Sequence, residues 1–177
     1  MLVGHFNMKY QIHKKFLSVD LFEKVQSLIM DGEFPWRRKD HMVTNTNDTI
    51  YFCYHFYNAM QSLSEFYQPY IIPILKKLRA TAPIQVRANM FISALFEAST
   101  WHRDSDFQCK SAILYLNDCD GGTELKINNK IISIKADANK ILVFDSQILH
   151  RPITSKKEPL RYIINFNYFT NDYIEKG

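Results

Sequence analysis

No apolar run in this 177-residue chain approaches the roughly 18 residues that a bilayer-spanning helix needs. The N-terminus, MLVGHFNMKYQIHKK, has no apolar core leading to a small-residue cleavage site, so no export signal is read there. Cysteine is sparse. Cys53, Cys109 and Cys119 are odd in number and far apart, which argues against a disulfide framework and against CxxC-type zinc sites. A reducing compartment, the cytoplasm, is the expected location. Neither charge sign dominates: the formal net charge of +4 permits an acidic substrate or nucleic acid without demanding one. The sequence contains no internal repeat, low-complexity tract or linker, so residues 1–177 are read as one domain. Glycine is scarce too, at five, and the adjacent pair Gly121-Gly122 is expected to form a tight turn with positive φ between strands.

What the chain does have is apolar and aromatic surface. Apolar residues make up 46%, which excludes disorder as the main state. Ten tyrosines and thirteen phenylalanines suit sheets. In the first half, residues 9–16 read as a short strand and Ser18 as a helix N-cap. Leu21, Phe22, Val25, Leu28 and Ile29 then fall at helical spacing, with Gly32 ending the helix. Residues 34–49 are polar and turn-rich and read as a loop; 50–57 read as an aromatic strand. Tyr70, Ile71, Ile74, Leu75 and Leu78 predict a second helix with Pro73 in its first turn. From residue 84 the pattern changes to short β-rich runs separated by turns: 84–92, 111–117, 123–127, 131–135, 140–144 and 161–169. Such spacing predicts an antiparallel sandwich or barrel. The expected class is α+β, mainly β, with an N-terminal layer of helices (1–83) packed on a β core (84–169).

Three places carry chemistry. In Trp101-His102-Arg103-Asp104, alternation along a strand would put an imidazole and a carboxylate side by side. A His-x-Asp pair arises often by chance, so its context decides. The apolar run Val143-Phe144-Asp145 leads into a turn and then His150. Arg161 opens the last long strand, eleven residues after His150. Two histidines and one carboxylate can occupy one face of a metal and leave the other open, the arrangement used for non-haem Fe(II). A guanidinium nearby can take a carboxylate bidentately, as a lysine cannot.

With these residues in view, the chain resembles the 2-oxoglutarate/Fe(II)-dependent dioxygenases, and among them the prolyl-4-hydroxylase-like branch. The matching runs are RANMF, WHRD, AILYLN, GGTEL, VFDSQILHRP and RYIINFNYF, in family order over about residues 84–169. Small oxygenases of this type from marine bacteriophages are similar along more of the length. The resemblance implies a double-stranded β-helix, a jelly-roll, cupin-like barrel with the N-terminal helices on one side. It implies that His102, Asp104 and His150 bind Fe(II) and that Arg161 pairs with the distal carboxylate of 2-oxoglutarate, with the Tyr115 hydroxyl as a second donor. O2 is the other co-substrate, with ascorbate a further candidate. The implied reaction hydroxylates an unactivated C–H bond and releases succinate and CO2. One departure stands out. Relatives carry a second tyrosine about ten residues before the first histidine, where this chain has Phe91; Asn89, on the same strand face, is the candidate to supply the missing hydrogen bond.

Alternation from Arg161 also places Ile163, Asn165 and Asn167 on the inward face, and Asn167 is taken as a further cofactor-binding candidate. Asp145 or a backbone carbonyl is expected to hold His150 from behind. Trp36-Arg37-Arg38-Lys39 within 34–49 suggest a cover over the substrate entrance. The doublets Lys14-Lys15, Lys76-Lys77 and Lys156-Lys157 read as solvated faces rather than nucleic-acid contacts, and Cys109 as a structural thiol. His5, His13, His41 and His55 lack ligand spacing. A small-molecule, amino-acid or peptide substrate is expected, and oligomeric state is left open. Two other readings remain: a cupin-type metal enzyme that uses no 2-oxoglutarate, and a non-catalytic β-barrel binding protein.

Overall fold

A computed structural model describes residues 10–40, 50–95 and 97–171. A short strand, β1 (Tyr10–His13), precedes helix α1 (Val19–Met30). Ser18 occupies the N-cap in an extended conformation, and Phe22, Val25 and Ile29 form the buried stripe. The helix does not end on a left-handed glycine: Asp31 turns the chain out at φ −64°, ψ 141°. Its Oδ1 accepts the Glu33 amide, so an Asx-type turn replaces the glycine cap expected at Gly32. The segment read as a loop contains a strand, β2 (Arg37–Lys39), paired with β3 (Tyr51–Asn58). A polar, basic composition hid it, because an edge strand needs no apolar alternation. Strand β4 (Gln61–Ser62) closes a hairpin on β3. A π-helical turn, Tyr67–Ile71, leads into α2 (Ile72–Lys77), with Pro73 in the first turn.

The rest is β structure: β5 (Ala80–Ile92), β6 (Lys110–Tyr115), β7 (Gly122–Ile127), β8 (Lys130–Lys135), β9 (Ile141–Asp145), β10 (His150–Ile153) and β11 (Leu160–Thr170). The larger sheet runs β1-β9-β6-β11-β5-β3-β2, with β4 beside β3; the smaller runs β10-β7-β8. All pairings among the described residues are antiparallel. From β6 onward the chain crosses repeatedly between the two sheets, β7, β8 and β10 lying in the smaller and β6, β9 and β11 in the larger, as in a double-stranded β-helix. Asn128 and Asn129, both at positive φ, make the two-residue turn of the β7–β8 hairpin.

Gly121 and Gly122 do not make the turn expected of them; neither has positive φ. Their value is the absence of a side chain. A Cβ on Gly121 would lie 2.7 Å from the Ile153 carbonyl oxygen, and one on Gly122 would strike the Ile134 carbonyl. The pair lets β7 sit tightly between β8 and β10.

Two cores share the larger sheet as a wall. One packs the sheet against the helices through Phe22, Ile29, Ile74, Ala88, Leu114, Ile164 and Phe166. The other fills the space between the sheets with Phe91, Ile113, Tyr115, Leu125, Leu142, Phe144 and Ile163. No helix among the described residues is long and apolar enough to cross a membrane. All three cysteines are buried free thiols.

Candidate active site

His102 and Asp104 lie on no regular strand. His102 joins β10 through a single bridge, its N–H donating to the His150 carbonyl at 3.0 Å and the His150 N–H donating back at 2.9 Å. The Asp104 N–H donates to the Ser146 carbonyl at 3.1 Å. These backbone bonds bring together residues nearly fifty positions apart. One ligand atom from each of His102, Asp104 and His150 lies within 4.8 Å of the others, and His150 Nε2 is 3.5 Å from Asp104 Oδ1.

Each side chain is held from behind. His102 Nδ1–H donates to the Thr100 carbonyl at 3.2 Å and His150 Nδ1–H to the Ile148 carbonyl at 2.9 Å, which leaves both Nε2 atoms to serve the cluster. Asp145, the other candidate for this role, is paired with Lys110 at 2.7 Å. Asp104 Oδ2 accepts from Ser111 Oγ at 2.6 Å and from Asn167 Nδ2 at 3.0 Å, so Oδ1 is the oxygen turned toward the imidazoles. Two imidazole nitrogens and one carboxylate oxygen, each oriented by a second bond, fit a divalent transition metal bound on one face.

The electrostatics agree. Burial, then the neighbouring His150, pushes His102 down to about 4, so it is neutral and able to ligate at ordinary pH. Burial alone would raise the Asp104 carboxyl, but His150 and the Arg87 and Ser111 groups outweigh it and hold the acid well below the usual carboxylate range. Burial lowers His150, and the Asp104 charge beside it more than compensates, leaving it raised. A metal would replace the proton that this pair shares.

A cavity between the sheets opens from this cluster and is walled by Arg87, Phe91, Thr123, Pro152, Ile163 and Asn165, with Arg161 in it. Arg161 is 1% exposed, and its Nε, Nη1 and Nη2 all lack hydrogen-bond partners among the described residues. Its guanidinium lies over the Phe91 ring, 4.4 Å from the centroid. Burial pushes it down to about 10, so the cation persists at neutral pH, and no ion pair among the described residues involves it. Tyr115 is fully buried; its hydroxyl, pushed up to about 12 by burial, donates to Thr123 Oγ1 at 2.9 Å.

Comparison with known proteins gives this geometry a context. No family model and no curated protein matches the chain. Among solved structures, a Pseudomonas putida prolyl-4-hydroxylase is similar at a TM-score of 0.69 and 13% identity, covering 92% of each chain. A Trichoplax adhaerens prolyl hydroxylase, solved with a hypoxia inducible factor peptide, gives 0.69 and 15%, covering 96% of this chain and 88% of that one. A 2OG-Fe(II) oxygenase family oxidoreductase from Burkholderia pseudomallei gives 0.72 and 8%, covering 92% and 86%. This chain has the fold of the 2-oxoglutarate/Fe(II) oxygenases.

On that oxygenase fold the residues singled out from the sequence separate into groups. His102, Asp104 and His150 converge. Arg161, Asn89 and Phe91 share a cavity with the two histidines, and Asn89 Oδ1 is buried without a partner. Tyr115 packs in the same inter-sheet core. Asn167 is placed differently from expectation: its amide serves Asp104 and Ser111 rather than the cavity. Sequence reasoning missed four residues. Ser111 holds Asp104, Thr123 accepts from Tyr115, and Arg87 lines the cavity. Asn117 clamps the start of β11, donating to the Leu160 carbonyl at 3.0 Å and accepting the Tyr162 N–H at 2.9 Å, on either side of Arg161. Strand alternation carried the signal for Arg87, two residues before Asn89. His5 and His41 lie outside the described residues, as does 41–49 of the segment read as a cover.

Proposed function

We propose that this protein is an Fe(II)- and 2-oxoglutarate-dependent dioxygenase that hydroxylates a C–H bond of an amino-acid, peptide or other small-molecule substrate. The observation that carries the proposal is Arg161. A fully buried guanidinium with all three nitrogens unpartnered is a costly state. It becomes favourable when a carboxylate arrives, and the cavity it occupies also holds His102 and His150. A dicarboxylate with a keto group satisfies both ends. A cupin-type metal enzyme that uses no 2-oxoglutarate would have no use for such an anchor.

His102, Asp104 and His150 would hold Fe(II), which with 2-oxoglutarate and O2 supplies the oxidising chemistry that puts one oxygen atom on the substrate and one in succinate, with loss of CO2. The chain's own groups do the rest. Thr100 and Ile148 carbonyls fix the imidazole orientations; Ser111 and Asn167 fix the carboxylate. Arg161 binds the far carboxylate of the co-substrate, while the neutral Tyr115 hydroxyl can turn from Thr123 to donate as well. Phe91, Ile113 and Ile163 exclude water from the cavity. Prolyl hydroxylation is the form of this activity favoured by the likeness to two prolyl hydroxylases.

The test is uncoupled succinate release at varied 2-oxoglutarate with Fe(II) saturating. Removing one partner of a desolvated charge pair costs about 2–5 kcal/mol, so Arg161→Ala is expected to raise the 2-oxoglutarate KM by tens-fold to thousands-fold while iron affinity holds. An unchanged KM would move the assignment to a metal enzyme that needs no such co-substrate.

A further inference from the structure

Strand β5 carries a second guanidinium into the cavity. Arg87 lies four residues before Phe91 on the same face, opposite Asn165 of β11 and His55 of β3. It lines the cavity with His102, His150 and Arg161, and its Nε is buried without a hydrogen-bond partner. None of the ion pairs among the described residues involves it. Beside it, the Oδ1 atoms of Asn165 and Asn89 are also buried and unpartnered.

The approach to Arg87 has the same sign. Arg37 and Lys39 of β2 stand opposite Cys53 and Tyr51 of β3, whose side chains belong to the inter-sheet core. Arg38, between them, is the one paired with an acid, Asp40 at 2.7 Å. Thus Arg37, Lys39 and Arg87 line one face, and none of the three has a carboxylate ion partner among the described residues. A charge count sharpens the point. A divalent metal, the Asp104 carboxylate, a 2-oxoglutarate dianion and Arg161 together come to zero. Arg87, half-buried with its Nε inside, then remains as one further cation at the cavity wall, where it attracts an arriving anion.

We infer that Arg87, with Asn165, forms a subsite for a carboxylate on the substrate to be oxidised, so that the enzyme selects negatively charged substrates. The inference rests on the oxygenase reading above. The carboxylate can belong to a free amino acid or to an acidic side chain in a peptide, and the same guanidinium chemistry serves both.

The test uses full-length protein loaded with Mn(II) and 2-oxoglutarate, which binds ligands without turnover. Loading is read first, from water proton relaxation and from the thermal shift caused by 2-oxoglutarate. Two matched pairs are then titrated: acetyl-L-proline against acetyl-L-prolinamide, and acetyl-Pro-Asp-amide against acetyl-Pro-Asn-amide. Binding is read from paramagnetic broadening of ligand resonances. At least one carboxylate is expected to bind about tenfold or more tightly than its neutral partner, the scale of one charge-assisted contact. The pair that discriminates identifies the source of the carboxylate. Arg87→Met should abolish the preference and Arg87→Lys should keep part of it, both with wild-type circular dichroism and 2-oxoglutarate affinity within about twofold. Equal binding within both pairs, or no broadening by any of the four at about 10 mM, overturns the inference. So does a weakened 2-oxoglutarate affinity in Arg87→Met with the carboxylate preference intact, which would assign Arg87 to the co-substrate. Failure of 2-oxoglutarate to load overturns the oxygenase reading itself, and the loading step separates that result from the others.

Discussion

Strand β11 has two buried faces with opposite characters. Toward the helices it presents Tyr162, Ile164, Phe166 and Tyr168, which join an apolar core. Toward the smaller sheet it presents Arg161, Ile163, Asn165 and Asn167, and all four are as dry as their neighbours. On the helix-side face the four side chains pack into that core. On the inter-sheet face, Arg161 and Asn165 keep polar atoms without partners and Asn167 spends its amide on Asp104. Burial in one case stabilises the fold; in the other it withholds water from groups held for a ligand. Depth in the structure is therefore a poor guide to what a residue contributes, whereas the satisfaction of its polar atoms separates folding from function.

Substitution on each face should separate the two roles. Phe166 is 0% exposed on the helix side, and truncating it leaves a cavity. Phe166→Ala is expected to cost about 3–5 kcal/mol in urea unfolding, with whatever folds retaining the cluster of His102, Asp104 and His150. An effect below about 1 kcal/mol would break the contrast.

Arg161→Met should do the reverse. Removing an unpaired buried cation is expected to leave the ligand-free protein as stable as before, or more stable by about 1–3 kcal/mol. The thermal stabilisation that 2-oxoglutarate gives the wild type should disappear. Marked destabilisation of the ligand-free variant would mean that the guanidinium serves the fold.

Asn167 tests the boundary between the faces. It points inward, and its amide donates to Asp104 and Ser111. Asn167→Ala is expected to weaken Mn(II) binding about 10–100-fold, the usual effect of losing a group that orients a ligand, and to shift the 2-oxoglutarate KM little at saturating metal. A change confined to KM would return Asn167 to the co-substrate pocket.

The smallest effect sought is that of pH. Burial lowers His150, and the Asp104 charge outweighs it, so its proton is held above the ordinary 6.5. A raised folded value means that the pair stabilises the metal-free protein below about pH 6.5 and loses that contribution as pH rises through the raised value. Asp104, depressed, contributes above the ordinary carboxylate range, and its contribution is lost only as pH falls through its lowered value. Metal must displace the His150 proton, so Mn(II) affinity should rise with pH, up to about tenfold per unit below the raised value, and level off above it. Calorimetry in buffers of different ionisation enthalpy should count about one proton released. Affinity independent of pH between about 6 and 8 would remove His150 from the ligand set.

Much of this was legible beforehand because it is local. Short β-rich runs between turn clusters announced most strands of the β core, and period 3.6 announced α1. The types and order of His102, Asp104, His150 and Arg161 named the candidate chemistry. What escaped lacked a local signature. Strand β2 is a basic edge strand, β10 is four residues long, and WHRD is not a strand but is fastened by backbone bonds to β10 and Ser146. The Gly121-Gly122 pair was misread because a requirement for close backbone approach leaves the same mark in sequence as a requirement for positive φ.

By itself the sequence determined the fold class and the inward face of β11 and named the candidate metal-binding residues, since side-chain period and residue type are written along the chain. The tertiary structure alone decided which of those inward groups found partners. It gave Asn167 to Asp104, His150 Nδ1 to the Ile148 carbonyl and Tyr115 to Thr123, and it left Arg161 and Arg87 Nε with none. Hydrogen-bond satisfaction is a property of residues far apart in sequence brought within about 3 Å, and no pattern along a chain encodes it.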